Sequence, residues 1–154
     1  MAEAKLAPNM PQWMVDHTHQ YLASGGKEGH IYQVRREGVP DMDVPSLLLI
    51  TTGRKSGEKF IFPLFYGAEG NSYFIVASKG GAPEHPGWYK NLLANPEAEV
   101  QVGTQKLRVK SRTASGAERK KLWDAALKFW PFYADYEKKA GSREIPVVVL
   151  DPIG

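Results

Sequence analysis

The amino-acid sequence predicts a mainly β protein with flanking helices, in which an antiparallel sheet closes into a barrel. Short apolar or alternating runs recur along the chain, and residues that favour turns separate them. The connections between successive runs are short, which favours hairpins and therefore antiparallel pairing. A sheet with this many strands commonly closes into a barrel.

The first predicted element is a helix. Its apolar side chains recur with helical spacing at Met10, Trp13, Met14, His17 and Tyr21. The Ser-Gly-Gly of residues 24–26 ends it. We therefore expect an N-terminal helical segment, residues 1–28, followed by a single barrel domain, residues 29–154.

Two interpretations of this helix stay open. In the first, the apolar stripe packs on the barrel, as amphipathic helices usually do. In the second, Trp13, Met14 and Tyr21 form a lid over a substrate cavity or contact a membrane surface. The helix carries too few basic residues for strong binding to a membrane.

The strands come next. Residues 29–36 alternate enough for a first strand. Residues 47–52 are an apolar run extended by two threonines, and residues 60–66 and 72–77 follow as two further strands. Pro63 has no backbone N–H to donate to a ladder, so it predicts an edge or a bulge in its strand.

Two basic loops follow neighbouring strands. Residues 53–57 carry Arg54 and Lys55, and residues 78–81 carry Lys79, with a serine and two glycines in each loop. The glycines permit tight turns with backbone N–H groups facing outward. Together the loops predict a site for an acidic ligand, although each alone is typical of a solvated surface turn.

The second half of the chain adds a helix and a hairpin. Prolines punctuate the start of residues 82–95, which then show helical pairing up to an Asn-Pro stop. Residues 97–110 alternate with period two around a bend at residues 103–105. This pattern predicts a hairpin with one solvated face.

Two helices and a strand complete the prediction. Ser115 and Glu118 have the spacing of a capping box at the start of a helix that ends at Pro131. A second short helix ends at Gly141. Residues 145–150 form the last buried strand.

Composition narrows the classes of function. The chain of 154 residues contains no cysteine, which excludes disulfides, thiol nucleophiles and thiolate metal sites. The four histidines are scattered without ligand spacing, so we expect no metal site. A net charge of +3 is too small to indicate a nucleic-acid partner.

The sequence also shows no recognisable targeting signal. The first residues lack the apolar core of a signal peptide, and no apolar run approaches the roughly 20 residues that a bilayer span needs. We therefore expect a cytoplasmic protein. Peripheral contact of the N-terminal helix with the inner membrane face is the alternative, and the oligomeric state is left open.

Four segments resemble a known family. TGRKSG at residues 52–57, ASKGG at 77–81, HPGWYKNLLANP at 85–96 and REIPVVVLDP at 143–152 are similar to the deazaflavin-dependent nitroreductases. These small enzymes have a split β-barrel related to FMN-binding proteins and use coenzyme F420. The resemblance covers roughly two-thirds of the chain, and the N-terminal forty residues match less clearly.

The resemblance implies a reductase that transfers a hydride from reduced F420 to a small apolar quinone, enone or nitro compound. In such chemistry the cofactor reacts, while the protein positions and shields. Two alternatives stay open: an FMN-dependent split-barrel oxidoreductase, and a non-catalytic F420 carrier.

The resemblance also assigns roles to residues. The family motifs place the cofactor against Arg54, Lys55, Ser56, Gly57, Pro63, Ala77, Ser78, Lys79, Trp88 and Asn91. Substrate-binding positions fall on Phe65, Trp130, Tyr133 and Tyr136. The proton that follows the hydride would come from solvent, or from Ser78, Tyr133 or Tyr136 as catalytic residues.

Each of these assignments has a structural alternative. Trp88 is also the kind of side chain that anchors a core, and Asn91 is also suited to bind neighbouring backbone. The C-terminal aromatics are equally consistent with core packing. Phe60 and Phe62 stand where the family often has a basic and a polar residue, which predicts a more apolar rim or weaker binding of the cofactor tail.

Overall fold

The computed structural model describes residues 4–35 and 37–153, and these form one nine-stranded sheet with four α-helices. The strands are β1 (Lys5–Leu6), β2 (Ile31–Val34), β3 (Met42–Thr52), β4 (Lys59–Phe65), β5 (Gly67–Glu69), β6 (Ser72–Val76), β7 (Glu97–Val102), β8 (Gln105–Thr113) and β9 (Val147–Pro152). The helices are α1 (Gln12–Ala23), α2 (Gly87–Ala94), α3 (Gly116–Phe129) and α4 (Tyr133–Ala140), with a 3-10 turn at Lys79–Gly81.

The sheet is antiparallel in every pairing except that of β1 with β4. Its strand order is β1-β4-β3-β7-β8-β9-β6-β5, and β2 pairs with the first half of β3. The sheet curls until β4 and β6 touch, but no ladder joins them in the described part of the chain. The predicted antiparallel barrel is confirmed, and it is split along this seam.

Successive side chains of a strand point to opposite faces of the sheet, so different helices cover different parts of the core. Leu47 and Leu49 of β3 point into the barrel interior, which α2 covers. Leu48, on the opposite face of β3, packs with Tyr21 of α1. Helices α3 and α4 bury Trp123 and their other apolar side chains against β6 and β9. No helix in residues 4–35 and 37–153 is long and apolar enough to cross a membrane.

Tyr21 joins α1 to the sheet. Its side chain is fully buried, and its hydroxyl lies 3.0 Å from the Ser46 carbonyl and 3.1 Å from the Gln101 carbonyl, to which it donates. The same oxygen accepts the Gly103 N–H at 2.6 Å. The predicted solvated face of the hairpin is exposed at Lys106, Arg108 and Lys110 of β8, and it departs from the prediction at Gln101 of β7, which is buried.

Several strands differ in extent from the prediction. β3 begins at Met42 rather than 47, because residues 42–45 pair with β2. Pro45 is tolerated there because it keeps a carbonyl, which accepts the Tyr66 N–H at 3.2 Å. The turn predicted after Tyr66 contains the short strand β5. β2 is narrower than the predicted 29–36, of which residue 36 lies outside the described residues.

The capping box is also wrong, although the helix start is right. Ser115 is the N-cap of α3 but makes no side-chain capping bond. Glu118 is drawn away by Arg112, whose Nη1 and Nη2 donate to its two carboxylate oxygens at 2.6 and 3.1 Å. A bidentate, charge-assisted pair outcompetes the single bond that the box would supply.

Candidate active site

A cavity of about 850 Å³ opens at the seam of the barrel. The outer edge of β4 has no partner strand beyond Ile61 among the described residues, so the cavity reaches both faces of this strand. Pro63 lies on the open edge, as its missing N–H predicted. The side chains of Phe60, Phe62 and Leu64 lie on one face of β4, and that of Phe65 lies on the other.

One part of the cavity, which we call the basic side, is formed by Arg54, Lys55, Ser56, Lys79, Trp88 and Asn91. The turn at its tip is closed by backbone: the Gly53 N–H donates to the Glu58 carbonyl at 2.6 Å. Gly53 has no room for a side chain, since a Cβ there would lie 2.8 Å from the Phe60 ring. The sequence therefore makes this turn tight and packs it directly on β4.

Asn91 fastens this turn to α2. Its Oδ1 accepts both the backbone N–H of Arg54 at 3.2 Å and the Arg54 Nη1–H at 2.8 Å. Its Nδ2 donates to Thr51 Oγ1 at 3.1 Å. Asn91 thus binds neighbouring backbone, as its alternative role predicted, and it also lines the cavity.

Lys55 and Lys79 are differently placed. Across residues 4–35 and 37–153 neither ammonium group has an ion pair or a hydrogen bond, and both residues line the cavity. The two basic loops therefore converge on one space, as the sequence predicts. Two unpaired ammonium groups at a cavity can bind an acidic ligand.

The loop that carries Lys79 is held from beneath by Arg143. Its guanidinium donates to the carbonyls of Ser78 at 2.7 Å, Ala82 at 2.9 Å and Ala77 at 3.2 Å, and to His85 Nδ1 at 3.0 Å. Burial lowers the pKa of Arg143. Burial, with Arg143 and a nearby lysine, also lowers the pKa of His85, which favours the neutral ring that can accept this bond.

The same loop is pinned from the other side by α4. Gly81 has a φ of +83°, and a Cβ there would lie 2.7 Å from the Tyr136 carbonyl oxygen. Lys79 and Gly80 also adopt positive φ, at 46° and 63°. Glycine at position 81 allows α4 to approach closely. The contacts with Arg143 and α4 hold the backbone of Lys79 at a positive φ, which residues other than glycine rarely adopt.

The other part of the cavity, which we call the aromatic side, is formed by Trp13, Phe65, Trp130, Tyr133 and Tyr136. The rings of Phe65 and Trp130 are 4.8 Å apart, and those of Tyr133 and Tyr136 are 6.1 Å apart. Trp130 is the C-cap of α3 in a non-helical conformation and is not on a shared helix with the tyrosines. The three nevertheless meet, because the chain turns at Pro131.

Tyr133 is buried at this wall. Burial, with a smaller contribution from Tyr136, raises its pKa above the ordinary value. Its hydroxyl, which an ordinary tyrosine also keeps protonated at neutral pH, therefore stays protonated further into the alkaline range and is a hydrogen-bond donor. Ser78 also lines the cavity, and its hydroxyl has no hydrogen-bond partner in the described chain. A wall of rings with a few hydroxyls suits a flat apolar ligand.

The N-terminal segment lines part of the cavity. Residues 7–11, Trp13, Met14 and His17 all contribute to its lining. Tyr21 anchors the helix to the sheet, as the packing alternative predicted, and it does not line the cavity, so its predicted place in a lid is wrong. Trp13 and Met14 line the cavity, and a lid role for these two residues stays a prediction. The helical spacing of the apolar residues in α1 predicted that the helix packs on the barrel. It gave no indication that residues 7–11 also line the cavity.

Twelve predicted site residues line this cavity: Arg54, Lys55, Ser56, Pro63, Phe65, Ser78, Lys79, Trp88, Asn91, Trp130, Tyr133 and Tyr136. Gly57 and Ala77 do not. Gly57 closes the basic turn at a φ of +75°, and Ala77 is fully buried with its carbonyl bound to Arg143. The roles of all these residues in binding stay predictions.

Sequence reasoning missed several lining residues. His17 and Ser46 were not predicted as site residues, and Arg143 supports the site without lining it. No local motif marks them, since they reach the cavity through pairings distant in sequence. Within the described ranges, no group of three or more His, Cys, Asp or Glu side chains could hold a metal ion.

Known proteins resemble this chain in sequence. A sequence profile described as F420H(2)-dependent quinone reductase matches residues 13–152. F420H(2)-dependent quinone reductase Rv1261c of Mycobacterium tuberculosis H37Rv is 39% identical over 137 residues, which are 87% of this chain and 86% of that protein. Rv3178 of the same strain, named a putative F420H(2)-dependent quinone reductase, is 40% identical over 111 residues, 71% of this chain and 91% of its own.

Solved structures agree. An F420-H2 dependent reductase, FDR-A, is 44% identical with a TM-score of 0.65, covering 70% of this chain and 94% of that one. A protein described as a domain-swapped dimer is 38% identical with a TM-score of 0.67, covering 91% and 98%. The haem storage protein HutZ of Vibrio cholerae, at 13% identity and a TM-score of 0.52 over 71% and 82%, shares the fold alone. The split barrel is confirmed, and this chain belongs to the F420H(2)-dependent quinone reductase family.

Proposed function

We propose that this protein reduces a small apolar quinone with a hydride taken from reduced coenzyme F420. The observation that carries the proposal is the cavity itself. It has unpaired cations on one side and an aromatic wall with hydroxyls on the other, in a member of a family described by this reaction. Enones and nitro compounds are acceptors of the same flat, electron-poor kind.

The donors on the basic side fit F420. The cofactor carries a phosphate and an oligoglutamate tail, which need charge-assisted donors. Lys55 and Lys79 have ammonium groups without partners in residues 4–35 and 37–153, and Ser56 adds a hydroxyl. Phe60 and Phe62 make the neighbouring rim apolar, so the charged contacts fall on the two lysines.

F420H2, when bound, supplies the hydride, and the protein's own residues prepare the acceptor. The aromatic side is suited to hold a flat ring, and the N-terminal segment adds apolar side chains to the same cavity. Tyr133 is protonated at neutral pH, as an ordinary tyrosine is, and burial raises its pKa further. It is therefore suited to donate a hydrogen bond to an acceptor oxygen, with Ser78 and Tyr136 beside it and the proton replaced from solvent.

A cofactor titration tests the proposal. Protein fluorescence should show saturable binding of F420, and FMN should not be retained through purification. Saturable FMN binding without any response to F420 would instead favour the FMN-dependent alternative.

Turnover then separates an enzyme from a carrier. We expect steady-state oxidation of F420H2 that depends on both protein and an acceptor, either menadione or cyclohexenone. Binding of F420 without such turnover would favour a non-catalytic carrier. The predicted cytoplasmic location is a separate proposal, which cell fractionation would check.

A further inference from the structure

Arg143 holds the loop of Lys79 without the help of an acidic partner. Its guanidinium donates to three carbonyls of residues 77–82 at distances of 2.7 to 3.2 Å, and it makes no ion pair among the described residues. Its fourth acceptor is Nδ1 of His85, at 3.0 Å. The Arg143 backbone is itself fixed, since its N–H donates to the Ala140 carbonyl at the end of α4. One guanidinium therefore makes four bonds, and one of the four acceptors can be titrated.

That acceptor exists only while the His85 ring is neutral. An Arg N–H can only donate, so Nδ1 accepts and the ring proton lies on Nε2. A proton on Nδ1 removes the acceptor and places a second positive charge next to the guanidinium. The lost bond and the repulsion act in the same direction, since both drive Arg143 away from its present position.

The groups around His85 favour its neutral form. Arg143 follows α4, and Lys90 of α2 is the other cation that acts on the ring. Tyr89 of the same helix packs edge-on against it, with ring centroids 5.0 Å apart. Glu84 precedes it in the chain, but it is exposed and makes no ion pair within the described part of the chain. Burial, with Arg143 and Lys90, lowers the pKa of His85 below its ordinary value of 6.5.

Neither His85 nor Arg143 lines the cavity, whereas the loop that they hold does. Ser78, Lys79 and Gly80 all contribute to the lining. The Lys79 side chain is exposed and its ammonium has no partner within the described ranges, so its location is set by the loop backbone. The position of this cation at the cavity therefore depends on two residues outside it.

We propose that His85 and Arg143 are positioning residues for the cofactor, and that the affinity for F420 depends on whether His85 is neutral. Neutral His85 orients the guanidinium, the guanidinium holds residues 77–82, and the loop presents Lys79 to the acidic cofactor. The proposal rests on the function proposed above and adds to it a dependence on pH. The arrangement is complete above pH 6.5 and is lost as the pH falls through the lowered pKa of His85.

His85→Asn tests the proposal. The Asn Oδ1 can take the place of Nδ1, so it accepts the same bond but does not titrate. The dissociation constant of F420 is measured by tryptophan quenching from about pH 8 to about pH 5, the range in which an imidazole titrates. Wild type and variant should agree at the upper end. At the lower end the wild type should bind about threefold to thirtyfold more weakly, because it has lost a bond from a charged donor.

Two further variants separate this pair from a general effect of pH. His19→Asn is the matched control, because His19 is exposed, lies outside the cavity and makes no hydrogen bond among the described residues. It should keep the wild-type pH profile, including any part that comes from ionisation of the cofactor. Arg143→Lys keeps the charge but lacks the planar fork that reaches three carbonyls. It should bind F420 about tenfold more weakly throughout the range.

Amide hydrogen exchange tests the loop without the cofactor. The N–H groups of Gly81 and Ala82 donate to the Ser78 and Lys79 carbonyls at 2.9 and 3.1 Å. After correction for the intrinsic effect of pH on exchange, these amides should lose protection at the acidic end in the wild type. They should stay protected in His85→Asn.

Parallel F420 curves for the wild type and His85→Asn, or tighter binding by the wild type at acidic pH, would overturn the inference. Equal amide protection in the two proteins at every pH would overturn it as well. A wild type that binds no F420 at any pH would instead defeat the proposed function. Hydrogen exchange would still decide in that case whether His85 holds the loop.

Discussion

The three cations at the cavity differ in what they already contact. Arg54 is engaged by Asn91 and lies 3.5 Å from the Gly87 carbonyl through the same Nη1. Lys55 and Lys79 have no partner in the part of the chain that the structure describes. The capacity to bind an anion therefore rests mainly on the two lysines, although the sequence presents all three cations alike.

At this scale we predict that Lys55→Ala weakens F420 binding about tenfold to a hundredfold. The variant removes a charge-assisted hydrogen bond worth about 1.5–3 kcal/mol. Fluorescence titration measures the dissociation constant. Lys106→Ala, on the exposed β7–β8 hairpin, is the control and should bind F420 normally. An unchanged affinity in Lys55→Ala would mean that the basic turn is ordinary surface.

At the scale of elements, the site depends on how two loops are tied to helices. Asn91 ties the basic turn to α2, and Arg143 and α4 clamp the loop of Lys79. In the described part of the chain, neither loop is paired with a strand of the sheet. Their positions at the cavity therefore follow from these few side-chain bonds.

We predict that Asn91→Ala destabilises the protein and loosens the basic turn together. It leaves the Arg54 N–H without its acceptor, at a cost of about 1–3 kcal/mol. The Tm should fall by about 2–12 °C for a chain of this size. F420 binding should also weaken, because Lys55 is carried by the same turn.

Asn95→Ala provides the comparison for that variant. Asn95 ends the same helix and is exposed, and among the described residues its side chain makes a single hydrogen bond, in which Oδ1 accepts the Glu97 N–H at 3.3 Å. Its Tm and F420 affinity should stay close to those of the wild type. Loss of stability in Asn91→Ala with full F420 affinity would show that the tie is structural alone.

At the scale of the whole molecule, Tyr21 holds three parts of the fold together. Its hydroxyl joins α1 to β3 and to the turn after β7. Because its bonds are to backbone, any residue that packs equally well but lacks the hydroxyl leaves a buried N–H unpaired. The position of α1 on the barrel therefore depends on the Tyr21 hydroxyl.

We predict that Tyr21→Phe lowers stability by about 1–3 kcal/mol, because the Gly103 N–H loses its acceptor. Thermal unfolding should show a Tm about 2–12 °C lower. Tyr73→Phe is the control, since the Tyr73 hydroxyl has no hydrogen bond in the described ranges and its loss should have little effect. Equal Tm values for the two variants would contradict this role for Tyr21.

Alkaline pH gives a second test of the same residue. Burial raises the pKa of Tyr21 to about 12, above its ordinary value of 10.0. The stability that depends on the neutral hydroxyl is therefore present below pH 10 and is lost as the pH rises towards about 12. The gap in Tm between wild type and Tyr21→Phe should narrow over that interval.

Much of the fold follows from local signals. Alternation marked most of the strands, Pro63 marked an open edge, and Pro131 and Gly141 marked helix ends. These signals work because a missing N–H or a positive φ limits the backbone wherever it occurs. The capping box failed for the opposite reason, since Glu118 found a stronger partner in Arg112.

The sequence by itself determined the class of fold, the two basic loops and the family, because these depend on patterns within short stretches. Only the tertiary structure decided that Lys55 and Lys79 have no partner among the described residues, that Gly57 and Ala77 do not line the cavity, and that Ser46 lines it while Arg143 supports it. Those outcomes depend on pairings between residues far apart in the chain, such as β3 with β4 and Arg143 with Ser78. A side chain's partners, burial and unpaired atoms are fixed only when the barrel closes around them.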